Sequence, residues 1–188
     1  MKRAIKAQRR PENDLRFFPL GGLLPAGQAL SVNTTYLILS LVSADSVNGN
    51  PILLQTPLTE TDMRLLLSLL ESPHYCSQEV LRASLFCSYP GLLAGLFLSE
   101  AATGGEWQSA IEEQHLLLQR AQQLGTWKKE LKPLYNALSN LRSKIHPFGL
   151  EIAIFASCPA YALMPLPQPQ QPTRRSCSRA LAVPGGRA

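Results

Sequence analysis

Residues 132–155 read KPLYNALSNLRSKIHPFGLEIAIF, and this stretch decides how the rest of the chain is read. Leu134, Leu138, Leu141 and Ile145 recur at helical spacing. Pro133 suits the first turn of a helix, where its missing N–H is not needed. The pattern predicts a helix from Pro133 to Ile145, with Lys132, Tyr135, Asn136, Ser139, Asn140, Arg142 and Lys144 mostly outward. Pro147 and Gly149 end it. Leu150 to Phe155 and Tyr161 to Met164 then form two β-prone runs, joined by Ala156-Ser157-Cys158-Pro159-Ala160, which predicts a hairpin.

Upstream, Tyr36 to Val42 and Pro51 to Gln55 read as an antiparallel pair around Asn48-Gly49-Asn50, since Asn-Gly tolerates the positive φ angles of a tight turn. Thr59-Glu60-Thr61-Asp62 resembles a capping box, and Leu58, Met63, Leu66, Leu67 and Leu70 follow at helical spacing until Ser72-Pro73. Ser77 can cap a second helix whose Val80, Leu81, Ser84 and Leu85 share a face. Residues 87–105 are apolar but interrupted by Pro90, Gly91, Gly95, Gly104 and Gly105, so they read either way. Glu106 to Leu124 carries an apolar stripe of Trp107, Ala110, Ile111, Leu117, Leu118, Ala121 and Leu124, closed by Gly125.

The predicted fold is α+β: a winged helix-turn-helix with short N-terminal antiparallel strands, an inserted helix and a C-terminal wing hairpin. The expected boundaries are a flexible basic segment over 1–29, the domain over 30–166 with an insertion at 87–127, and a disordered Pro/Arg-rich tail over 167–188.

Charge is unevenly placed along these 188 residues, whose net value is +5. Residues 1–16 hold six cations and two acids, and residues 165–188 hold four arginines and no acid. The middle holds 8 cations and 11 acids. Within it, Lys128, Lys129, Lys132, Arg142 and Lys144 against Glu130 make 128–145 a basic segment, the natural place to look for a polyanion. No apolar run approaches the length of a membrane helix, the longest being Gly91 to Leu98 and Tyr36 to Val42. Glu12, Asp14 and Pro19 argue against a signal peptide. Cys76, Cys87, Cys158 and Cys177 form no Cys-x-x-Cys pair, so a reducing cytoplasm is expected, with no metal or cofactor.

Three motifs in order resemble the C-terminal winged-helix effector domain of OmpR-type response regulators. Leu58-Thr59-Glu60-Thr61-Asp62 is similar to the family's Leu-Thr-x-x-Glu helix start, with Asp for Glu. Ser77-Gln78-Glu79-Val80-Leu81 is similar to its Ser-x-Glu-x-Leu. Ser139-Asn140-Leu141-Arg142-Ser143-Lys144-Ile145 is similar to the end of its recognition helix, and Phe148-Gly149-Leu150-Glu151-Ile152 follows at the family's distance. The resemblance covers roughly residues 35–164 apart from the insertion. It implies a bacterial, cytoplasmic protein that binds duplex DNA sequence-specifically and regulates transcription through helix 132–145. The chain departs from the family in its long 87–127 connection, in the lack of an Arg-Gly-x-Gly-Tyr wing, and in the lack of a receiver domain before residue 35.

On this reading Asn136, Ser139, Asn140 and Lys132 approach base edges beside Tyr135, while Lys128, Lys129, Arg142 and Lys144 meet phosphates. The alternative is a degenerate winged-helix module that docks a protein instead of DNA. The 106–124 stripe likewise has two readings, packing on the domain's own core or a homodimer or protein-partner surface. No enzyme is expected. Glu112-Glu113-Gln114-His115 holds one Glu-x-x-His where a di-iron bundle needs two. His74 and His146 adjoin turns, and Cys76 and Cys87 suit buried positions.

Overall fold

The computed structural model describes residues 14–43, 51–97, 105–155 and 158–166, and these form a mixed α+β architecture. Four strands, β1 (Leu15–Phe18), β2 (Gln28–Asn33), β3 (Ile38–Ser43) and β4 (Ile52–Pro57), make an antiparallel sheet in chain order. Strand alternation sends Leu30, Val32 and Leu39 to one face, where none keeps any exposed surface, with Leu41 and Leu54 packed around them. Each such side chain contributes about 1.5–3 kcal/mol on leaving water.

Two of these strands begin inside residues 1–29, where composition predicted a flexible segment. The Pro and Gly residues there build the turn from β1 to β2, with Gly22 and Gly27 at positive φ and Leu23 N–H bonded to the Leu20 carbonyl at 3.0 Å. Asp14 fixes the start, its carbonyl accepting from the Thr34 N–H at 3.0 Å. The Asn48-Gly49-Asn50 turn, residues 1–13 and the 167–188 tail lie outside the described residues.

Helix α1 (Glu60–Glu71) opens with the expected capping box: the Thr59 hydroxyl accepts from the Asp62 N–H, and the Asp62 carboxylate accepts from the Thr59 N–H. Met63, Leu65, Leu66, Leu67, Leu69 and Leu70 are all buried, so this helix is the centre of the core. A two-residue strand, β5 (Cys76–Ser77), then leads into α2 (Gln78–Phe86), which Ser77 caps as predicted. Arg64 of α1 ties the two helices together, donating to the Ser84 and Cys87 carbonyls and pairing with Glu60. That satisfies carbonyls at the C-terminal end of α2.

The ambiguous 87–105 stretch contains a helix, α3 (Tyr89–Phe97). Its glycines are packing contacts rather than breaks, because a Cβ on Gly95 would overlap Trp107 and one on Gly91 would overlap the Glu106 carboxylate. Helix α4 (Gly105–Gln123) follows, and Gly125 at φ +69° turns the chain into α5 (Trp127–Ile145). Helix α5 therefore starts six residues before the predicted Pro133, which sits inside it and leaves the Lys129 carbonyl without its usual N–H partner. A short 3-10 turn (His146–Phe148) ends with Gly149 at φ +75°, and β6 (Leu150–Ile154) and β7 (Ala160–Pro165) form the expected hairpin. β5 joins β7, Cys76 opposite Tyr161, giving a second sheet of order β5-β7-β6.

Candidate nucleic-acid interface

Helix α5 is divided lengthwise. Leu131, Leu134, Leu138, Leu141 and Ile145 have no exposed surface and, with buried Ala137, bind it to the core. Lys128, Lys129, Lys132, Tyr135, Asn136, Ser139 and Asn140 are all exposed. At about 100° per residue these seven occupy an arc of about 140° opposite the buried seam. The lysines fill its N-terminal third and the amides and hydroxyls its middle.

The acid within that segment does not neutralise the lysines. Glu130 turns instead to Arg82, which is only 4% exposed. The Arg82 guanidinium donates to the Glu130 carbonyl, lies 3.5 Å from its carboxylate and donates to Gln114 Oε1 at 2.9 Å. Arg82 thereby joins α2, α4 and α5. Lys128, Lys129 and Lys132 take part in no ion pair among the described residues.

Arg142 and Lys144 are placed differently from the prediction. They flank the buried seam on its two sides, and each is drawn inward. Lys144 Nζ lies 2.6 Å from Asp62 Oδ2, an oxygen that also accepts from the Thr59 hydroxyl, so its charge is spent within the fold. Burial opposes ionisation of Asp62, but the hydrogen bonds from Lys144 and Thr59 outweigh it and hold the carboxyl below its ordinary range. Arg142 Nε donates to the Ile152 carbonyl at 3.2 Å, anchoring α5 to β6.

The hairpin beside α5 exposes Ile154, Phe155, Met164 and Glu151, and it has no cation among its described residues. Tyr161 is only 1% exposed, and its hydroxyl is buried next to Gln78. Burial pushes this phenol up to about 12, reinforced by Tyr135 and opposed by Gln78 and Arg142, which places the hydroxyl among side chains of α2 and α5. Sequence reading assigned Tyr161 and Gln78 no role. One looks like an ordinary strand aromatic, the other like the first residue of a capped helix.

The α4 stripe packs inward. Trp107, Leu118 and Ala121 are buried and Ala110, Ile111 and Leu117 half-buried, while Leu124 falls beyond the helix end and is 69% exposed. Helix α4 presents Leu116 to solvent as its one exposed large apolar residue among the described positions. Glu112, Glu113, His115, His74 and His146 are exposed, and Cys76 and Cys87 are buried. No described helix is long and apolar enough to cross a membrane. In comparison with known proteins, no family model, no curated protein and no solved structure matches this chain.

Proposed function

We propose that the protein is a winged-helix regulator that binds duplex DNA through α5. The order of its elements supports this reading: a sheet, α1, a short strand, α2, then α5 followed directly by a hairpin that pairs with the short strand. Helices α3 and α4 form the insertion. The observation that carries the proposal is the cationic face of α5, which makes no ion pair among the described residues, with Glu130 turned to Arg82 instead. Lys128, Lys129 and Lys132 meet phosphates near the start of the helix, and Tyr135, Asn136, Ser139 and Asn140 face the base edges of a major groove. Arg142 keeps its two terminal nitrogens for a backbone phosphate.

A protein-docking role has one observation in its favour, the hairpin tip, where Ile154 and Phe155 stand exposed with no cation to meet a phosphate. Titration of the isotope-labelled chain with a mixed-sequence duplex separates the two. The DNA reading predicts that amide resonances of 128–142 shift while those on the outer side of α4 stay in place. A duplex that leaves 128–142 undisturbed at low salt contradicts it.

A further inference from the structure

The N-terminal sheet ends on an open edge. β4 bonds to β3 on one side, and on the other it has no neighbouring strand among the described residues. Ile52 and Leu53 stand 59% and 51% exposed there, and Gln55 is exposed beside them. A bulge between Leu41 and Val42 leaves Leu53 opposite no residue of β3. An unpaired strand edge is a template for another strand, and proteins often guard it with a charge inside the strand. β4 has no such guard, because residues 46–59 hold no charged side chain. The opposite edge strand, β1, carries Arg16, which stacks over the Phe97 ring at 3.6 Å.

The β3–β4 ladder fixes which backbone groups remain on that edge. The Leu58 N–H donates to the Leu37 carbonyl at 2.8 Å, and the Ser43 N–H to the Pro51 carbonyl at 3.2 Å. Alternation along the antiparallel pair then turns the backbone groups of Leu54, Thr56 and Leu58 toward β3, and those of Leu53, Gln55 and Pro57 away from it. Proline has no N–H, so the regular part of the free edge offers the N–H groups of Leu53 and Gln55 together with their carbonyls. Leu54 stands midway between these two residues, and also midway between Pro51 and Pro57. In hydrogen-bonding capacity the edge is a palindrome: a proline, a donor and acceptor on each side of Leu54, and a proline.

We propose that β4 pairs with β4 of a second copy of this chain, antiparallel and about a two-fold axis at Leu54, joining two four-stranded sheets into one. In that register Leu53 lies opposite Gln55 of the second copy, and each such pair exchanges both of its N–H···O bonds. Each Pro51 then meets a Pro57, and neither brings a donor that needs a partner. A two-fold contact must be self-complementary, and this edge is. Its neutrality selects a second copy over a cationic or acidic strand, because a charged partner would be desolvated without meeting an opposite charge. Ile52 and Leu53 lose exposed apolar surface in the pairing. So short a contact gives a weak, concentration-dependent dimer. It uses no residue of the cationic face of α5, so the inference does not depend on DNA binding.

Sedimentation equilibrium of the full chain, from micromolar to millimolar concentration, tests both the contact and its register. The parent is expected to pass from monomer to dimer. Leu53→Lys combined with Gln55→Lys sets ammonium against ammonium in both pairs and is expected to weaken the dimer at least about tenfold. Leu53→Lys combined with Gln55→Glu sets ammonium against carboxylate in both pairs and is expected to restore it. Circular dichroism shows whether each variant is folded. Amide exchange in the parent gives a reading that needs no variant and decides the matter if one fails to fold: the Leu53 and Gln55 N–H groups are expected to exchange more slowly as concentration rises. A chain that stays monomeric throughout, a dimer that persists in the folded first double variant, a folded second double variant that associates no more tightly than the first, or Leu53 and Gln55 amides whose exchange ignores concentration overturns the proposal. No DNA is present in these experiments, so this failure is distinguishable from failure of the duplex reading.

Discussion

Lys144 shows how far helical spacing predicts the role of a side chain. Its position on α5 marks it as an outward cation, and an alanine there would be expected to weaken polyanion binding and spare the fold. The structure gives it a buried carboxylate partner 82 residues away in sequence, a contact no local pattern encodes. Lys144→Ala is therefore predicted to destabilise the protein by about 2–3 kcal/mol, measured by urea unfolding, because it strands Asp62. The pH dependence follows. The folded Asp62 carboxyl titrates below its ordinary value of 3.8, so its stabilising contribution is complete above that value and is lost as the pH falls through the lower folded value. Asp62→Asn removes this component of acid unfolding, which a pH series of unfolding midpoints reads directly. Leu138, by contrast, is legible from spacing alone, and its complete burial confirms the seam. Leu138→Ala is expected to cost about 2–5 kcal/mol, and a variant as stable as the parent contradicts the packing.

At the scale of elements, the sequence shows clearly what local chemistry determines. The Thr59 and Ser77 caps, the leucines of α1, the α4 stripe and the closing hairpin all appear where their residue types demand. Tertiary packing determines what was missed. The 87–105 stretch reads either way because the glycines now found in α3 look like stops, when they make room for Trp107 and Glu106. Helix α5 begins earlier than Pro133 suggests because Leu131, two residues before it, is already buried. β5 is too short for any periodicity. Arg82 is the corresponding long-range tie, joining three helices through Gln114 and Glu130. Arg82→Ala is predicted to cost about 2–4 kcal/mol and to raise amide exchange along α4 and the first turns of α5. Unchanged exchange in those segments would show that the apolar contacts alone hold the insertion in place.

Over the whole molecule, the order of strands, helices and hairpin was legible, and so was the concentration of positive charge in 128–145. Strands β1 and β2 were not, because they rest on pairing with each other and with β3 rather than on strong local pattern. The distribution of charge on α5 differs accordingly: Lys128, Lys129 and Lys132 near its start are in no ion pair among the described residues, whereas Lys144 near its end pairs with Asp62. The most direct measurement of the central claim is the salt dependence of binding between the full chain and a mixed-sequence duplex, for the parent and the Lys128→Ala, Lys129→Ala, Lys132→Ala triple variant. If each lysine meets one phosphate, affinity falls with salt in both proteins, and the slope of log K against log salt is shallower by about 2–3 in the variant, with its unfolding midpoint unchanged. Equal affinity and equal slope in the two proteins would contradict the account and move any DNA contact away from α5.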